Sequence, residues 1–216
     1  MWIDKIEQQK KKLLVWSAGE IVCACYAKEL AAFSVQEQTD WPEEEWEQFQ
    51  MEVLLPRAKR RVLYILQTAA KSEAWLRDKL RAEYYPEAVA EQAVEYAKSF
   101  HYVDDRRMAE SYIRCRIAQK SRREIEQQLV GKGIAKELIR EAFAVVEAEY
   151  EEWEGEGESP EIEAIRKFLH KKGFYSPEEQ QEGIEYREFS YEEKQKLAAA
   201  LLRKGFEMNF IKKVLF

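Results

Sequence analysis

The chain has 216 residues, with 35 Lys and Arg against 41 Asp and Glu, for a net charge of −6 and a pI near 5.3. That length holds one large domain or two small ones. A composition rich in Glu, Lys, Arg, Ala and Leu, with 8 Gly and 5 Pro, favours helix. No apolar run is long enough to span a bilayer. The basic cluster KKK at 10–12 precedes only a short apolar stretch with no small-residue cleavage site, so a cytoplasmic chain is expected. Cys23 and Cys25 are spaced C-x-C with no companion pair, and Cys115 stands alone. A zinc site would lack ligands, so the expectation is reduced thiols, with no metal and no cofactor. Charge is segregated. Residues 1–55 carry 5 basic and 11 acidic side chains, residues 56–146 carry 19 and 13, residues 147–163 none and 9, and residues 164–216 carry 11 and 8. The basic middle reopens the question of a polyanionic partner that the overall pI argues against.

In chain order, KKLLVWSAGEIVCACYAKELAAFSV (11–35) has β-branched and aromatic residues around SAGE and predicts two or three short strands with a hairpin turn. QTDWPEEEWEQFQMEVLL (38–55) predicts a helix capped by Thr39 or Asp40, with Glu43 to Glu45 in its first turn. Beyond it, three stretches align without a gap: residues 75–94, 124–143 and 196–215. Matched columns hold Leu76, Ile125 and Leu197; Leu80, Leu129 and Leu201; Tyr85, Ile134 and Phe206; Val89, Leu138 and Phe210; and Ala93, Ala142 and Val214. Apolar residues four apart on either side of a break predict two short amphipathic helices joined by a tight turn. Gly133 and Gly205 share the break column, where a left-handed backbone closes a helix. The first copy has Tyr84 there, followed by Tyr85 and Pro86, which predicts a different turn with Pro86 opening the next helix.

Each pair follows a further helical stretch: 56–70, 104–119 and 159–173. The expected fold is therefore mainly α, with three tandem three-helix repeats and a small N-terminal β-hairpin-like extension. The expected divisions are an extension over 1–55, repeats over 56–103 and 104–150, and an acidic linker with the third repeat over 151–216. The acidic stretch 147–163, with Trp153, is read as a linker that can lie over the basic repeats as an internal mimic of a polyanion.

The segment SFHYVDDRRMAESYIRCR (99–116) sets Asp104 and Asp105 beside Arg106 and Arg107. Adjacent helical positions point about 100° apart, so the two carboxylates do not converge on one substrate atom or metal. Asp104 reads as a helix cap. Phe100 and Tyr102 are expected to pack under the turn, and Met108 or Ala109, Tyr112, Ile113 and Ile117 to face the core. Arg107 and Arg114 then share the opposite face, with Glu110 four residues before Arg114.

These residues resemble the RecX family of bacterial recombination regulators. The ordered motifs are FHYVDDRRMA, SYIRCR, REIEQQLVGKGI, KELIREAF, LLRKGF and IKKVL. Here His101 replaces a common glycine before the aromatic turn, and QKSRRE and QTAAKSEAW depart from the usual pattern. The resemblance implies a non-enzymatic monomer that docks on the RecA recombinase filament. It implies inhibition of RecA's ATPase, strand exchange and co-protease activity, tempering recombination and the SOS response, with at most weak or indirect contact to single- or double-stranded DNA. The expected contact residues are Arg60, Arg61, Arg106, Arg107, Arg114, Arg116, Arg122, Arg123, Lys132 and Lys136. Two rivals are a direct helix-turn-helix DNA binder, with Lys136 and Arg140 outward on IAKELIREAF, and a helical scaffold for another protein. An enzyme ranks behind both, since His101 and His170 lie in different repeats and no nucleophile elbow, phosphate loop or metal spacing is present.

Overall fold

The computed structural model describes residues 1–154, 159–181 and 186–216, the side chains of 151–154 excepted. The side chain of Trp153 and residues 155–158 of the acidic stretch therefore lie outside what is described. The chain is mainly helical with a small N-terminal antiparallel strand region. It divides into two compact units, Met1–Asp105 and Arg106–Phe216.

The first unit opens with β1 (Trp2–Ile3), β2 (Lys5–Gln9), β3 (Lys12–Ser17) and β4 (Glu20–Cys25), the last three forming an antiparallel meander in the order β2-β3-β4. The expected hairpin turns at Ala18 and Gly19, both at positive φ (50° and 79°), as a two-residue hairpin loop between right-twisted strands requires. Val15, Cys23 and Cys25 face the core. A hydrogen bond to Cys25, together with burial, pushes the Cys23 thiol up, so it stays protonated.

Two expectations are corrected here. The chain leaves the sheet at Tyr26 and forms α1 (Ala27–Ala32), whose first turn is closed when Tyr26 N–H donates to Glu29 at 2.7 Å. Thr39 and Asp40 do not cap a helix; they form β5 (Thr39–Asp40), paired with β1. Helix α2 (Glu43–Phe49) starts after Pro42, with Glu43 to Glu45 in its first turn. It runs through a π-helical segment, Gln50–Leu54, into α3 (Leu55–Leu66). Pro56 offers no N–H to the ladder, and the widened turn just before it absorbs that loss.

Helices α4 (Glu73–Ala82) and α5 (Glu87–Ser99) complete the unit. One core joins the strands to these helices through Ile3, Val15, Trp41, Phe49, Val62, Leu76, Leu80, Val89 and Val94. Arg57 of α3 braces it. Its guanidinium donates to Glu29 at 2.7 Å, to the Tyr85 hydroxyl at 3.2 Å and to the Ala24 carbonyl. Next to it, Ala24 N–H donates to the Tyr84 carbonyl at 3.2 Å.

The second unit holds α6 (Asp105–Arg114), which opens at the unit boundary, then α7 (Arg122–Val130), α8 (Lys136–Glu154) and α9 (Pro160–His170). A 3-10 turn at Pro177–Glu179, α10 (Tyr191–Arg203) and α11 (Met208–Leu215) follow. Helix α6 is shorter than the 104–119 expected, ending in turns over 115–119. Ala109, Ile113 and Ile117 are buried as expected, in a core with Ile125, Leu129, Ile134 and Phe143. A second core gathers Ile165, Leu169, Leu201, Phe206 and Ile211.

The aligned breaks are equivalent. Tyr84, Gly133 and Gly205 all sit at positive φ (63°, 83° and 91°). The next residue's N–H reaches back to a buried leucine carbonyl each time: Tyr85 to Leu80 at 3.1 Å, Ile134 to Leu129 at 3.2 Å and Phe206 to Leu201 at 3.2 Å. The different turn expected at Tyr84 is thus absent; tyrosine adopts the glycine backbone there. Pro86 stands just outside α5 rather than inside it. Serine caps open the first helix of each pair: Ser72, Ser121 and Ser190 each accept from the N–H three residues on, at 3.2 Å.

Candidate functional site

The ten cations named from sequence divide by what holds them. In the first unit, Arg61 is a bidentate partner of Glu83, with Nε donating at 3.0 and 3.2 Å and Nη2 at 2.6 Å. Burial opposes ionisation of Glu83, but the hydrogen bonds and charges of Arg61 and Lys79 together outweigh it and hold the carboxyl below its usual range. Arg60 is exposed, and its Nε donates to the Pro56 carbonyl at 3.3 Å.

In the second unit, α8 supplies glutamates to three of the arginines. Arg106 pairs with Glu141. Arg114 donates to Glu149 at 2.7 and 2.9 Å and, as the four-residue spacing predicts, reaches Glu110 at 3.4 Å. Arg122 donates to Glu147 at 2.6 Å and to Glu126 at 3.1 Å, above the Phe143 ring at 4.3 Å. The Arg114 guanidinium holds Glu149 below the usual carboxylate range. Glu147 and Glu149, read from sequence as the start of an acidic linker, are instead part of α8, and they pair with Arg122 and Arg114 from that helix. Arg116 and Lys132 lie over the Tyr112 ring, at 3.9 and 5.3 Å. Arg107 is exposed on α6.

Arg123 and Lys136 differ from these. With Arg122 and Arg140 they border an open cleft of about 760 Å³ between α7 and α8, lined also by Glu126, Gln127, Val130, Glu137 and Ile139. A smaller cleft of about 370 Å³ adjoins it through Arg123 and Gln127 and is bordered by Arg203, Lys204 and Gly205. Among the described residues, Arg123, Lys136, Arg140 and Arg203 carry no ion pair. Unpaired guanidinium and ammonium groups around a concave surface attract carboxylates or phosphates.

The two clefts meet where α7 begins. Ser121 Oγ accepts from Glu124 N–H and donates to the Lys204 carbonyl at 2.6 Å, tying α7 to the turn between α10 and α11. Gly205 sits in that turn at φ +91°, and a Cβ there would lie 2.9 Å from Arg123 Cβ. Ser121 and Gly205 therefore set the position of Arg123. Sequence reading missed Arg203 and Lys204 as neighbours of Arg123, because 80 residues of chain separate them. Arg140 was named only for the rival DNA-reading mode.

Asp104 and Asp105 build no catalytic pair. Asp105 Oδ1 accepts from Glu73 N–H at 3.0 Å, at the start of α4. Burial raises the Asp105 carboxyl above its usual range, against that backbone hydrogen bond. Phe100 and Tyr102 are not packed under the turn: they are 53% and 59% exposed, and Val103 is buried instead.

Fold and site together define a mainly helical protein of three-helix domains, in which Arg123, Lys136, Arg140 and Arg203 border two open clefts. Comparison with known proteins agrees. Residues 104–142 match the second three-helix domain of RecX, and residues 185–215 match its third. The Regulatory protein RecX of Clostridium acetobutylicum is 30% identical over 158 residues, covering 73% of this chain and 67% of that protein. The one from Caldanaerobacter subterraneus subsp. tengcongensis is 27% identical over 218 residues, covering 100% and 98%. A crystal structure of regulatory protein RecX superposes with a TM-score of 0.59 at 22% identity over 99% of this chain and 98% of that one. RecX from Lactobacillus salivarius gives 0.53 at 17% identity, over 74% and 92%. The chain belongs to the RecX family of regulatory proteins.

Proposed function

We propose that this chain is a cytoplasmic, non-enzymatic and monomeric regulator that binds the RecA recombinase filament. In this reading it inhibits ATP hydrolysis, strand exchange and co-protease activity, and so tempers homologous recombination and the SOS response. Family membership supports the partner. The observation that carries the docking surface is the pair of adjoining clefts, where Arg123, Lys136, Arg140 and Arg203 stand without carboxylate partners among the described residues. A nucleoprotein filament offers a polymer of phosphates and protein carboxylates, and an array of unpaired cations steers toward it and fixes register. The arginines tied to Glu141, Glu147 and Glu149 are secondary contacts, since each must exchange a partner it already has.

The test is RecA-catalysed ATP hydrolysis on single-stranded DNA with increasing amounts of this chain. Hydrolysis is expected to fall in a dose-dependent way. A rate unchanged at saturating chain would overturn the proposal.

A further inference from the structure

The first unit carries a feature that the docking surface does not use. Tyr96, Phe100 and Tyr102 form a run of rings at the end of α5. Tyr96 and Phe100 meet edge to face at 5.0 Å, and Phe100 and Tyr102 lie nearly parallel, 17° apart at 6.0 Å. More than half of each of the last two residues is open to solvent. At the other end, Lys59 Nζ stands 4.4 Å from the centre of the Tyr96 ring.

The backbone holds these rings outward. Between them, His101 takes φ +58°, a left-handed conformation that costs a non-glycine residue energy. Two hydrogen bonds lock the turn: His101 N–H to the Lys98 carbonyl at 2.8 Å and Tyr102 N–H to the Ala97 carbonyl at 3.0 Å. Phe100 and Tyr102 therefore emerge from a fixed corner, and little order is lost when something stacks on them.

We propose that Tyr96, Phe100 and Tyr102, with Lys59, form a stacking site for the unpaired bases of a single-stranded nucleic acid. Aromatic faces accept any base, and a cation at the edge of the run meets the adjoining phosphate. The surroundings favour this over an apolar protein anchor. Of the chain neighbours of these rings, Lys98, Ser99, His101 and Asp104 reach the surface, while the aliphatic Ala97 and Val103 are buried. The site lies in the first unit and does not depend on the docking surface of the second.

The experiment uses the full chain and a fluorescein-labelled oligothymidylate, read by anisotropy at low and moderate salt, with a duplex of equal length as control. The wild-type chain is expected to bind the single strand. The double variant Phe100→Ala/Tyr102→Ala should bind it at least fivefold more weakly, with its helical circular dichroism and its duplex binding unchanged. Phe100→Trp should retain or strengthen binding. The proposal is overturned if the wild type does not bind the oligomer at low salt, if the double variant binds as well as wild type, or if single-strand and duplex affinity fall together. Loss of RecA-filament binding by a double variant whose oligomer affinity is unchanged would also overturn it, and would assign the rings to a protein contact.

Discussion

Arginine serves mostly as a brace in the first unit and mostly at the surface in the second. In Met1–Asp105 it is a brace. Arg57 holds Glu29, Tyr85 and a strand carbonyl; Arg61 grips Glu83; and Arg77 bonds Glu91 at 2.6 Å and Glu73 at 3.0 Å. In Arg106–Phe216, Arg106, Arg114 and Arg122 lean on α8 glutamates, while Arg123, Arg140 and Arg203 border open clefts without an ion pair among the described residues. Local sequence looks alike in both places: AKRR at 58–61 and KSRRE at 120–124 are both basic runs beside a helix. What separates them is the carboxylate that the fold brings in from a distance. Half-buried arginines with fixed partners report on stability, whereas exposed arginines without partners report on binding.

The largest effect expected from this contrast is at Arg57. Replacing it with Ala takes the guanidinium away from Glu29, the Tyr85 hydroxyl and the Ala24 carbonyl in a half-buried setting, and should cost about 3 kcal/mol. Urea unfolding followed by circular dichroism measures this, and a loss under about 0.5 kcal/mol would remove the brace from the comparison. Next comes Gly205→Ala. It places a side chain at φ +91° and against Arg123, at a cost of about 1–2 kcal/mol. Because the second cleft moves with it, filament binding should weaken as well. Ser121→Ala removes one cap and one buried donor, for about 1 kcal/mol. Equal thermal midpoints for Ser121→Ala and wild type would show that the tie to Lys204 contributes nothing.

The smallest effect is one of pH. Burial raises the Asp105 carboxyl, so its ionised form is disfavoured in the folded chain. The penalty is absent below the unfolded pKa, near 3.9, and grows as pH rises to and through the raised folded value. Asp105→Asn keeps an acceptor for Glu73 N–H and loses the charge. The variant should gain stability relative to wild type at pH 7, and the gain should vanish in acid. A variant less stable at pH 7 than at pH 3, each compared with wild type, would reverse the sign.

Periodicity made the helical repeats legible. Leucines and isoleucines four apart bracket a break whose backbone signature recurs at Tyr84, Gly133 and Gly205, and the N-terminal hairpin announced itself through SAGE. Features set by distant chain were not legible. Thr39 and Asp40 carry good capping side chains, but pairing with Trp2 and Ile3 claims them first. A local turn was not legible either: Phe100 and Tyr102 are expected to pack under it, but with the hydrogen bonds around His101 both rings stand exposed. Of the ten cations named from sequence, Arg123 and Lys136 line the clefts without an ion pair, whereas Arg61, Arg106, Arg114 and Arg122 meet glutamates from 22 to 35 residues away. Arg203 joins Arg123 where Ser121 bonds the Lys204 carbonyl and Gly205 approaches Arg123.

The most direct measurement is the affinity of the triple variant Arg123→Glu/Lys136→Glu/Arg140→Glu for RecA filaments on single-stranded DNA, at low and moderate salt. All three residues are exposed and carry no ion pair among the described residues, so the unfolding free energy should stay within about 0.5 kcal/mol of wild type. Affinity should fall at least tenfold, and the wild-type dependence on salt should flatten. Wild-type affinity in this variant, with its fold intact, would contradict the assignment of docking to the unpaired cations of the α7–α8 clefts.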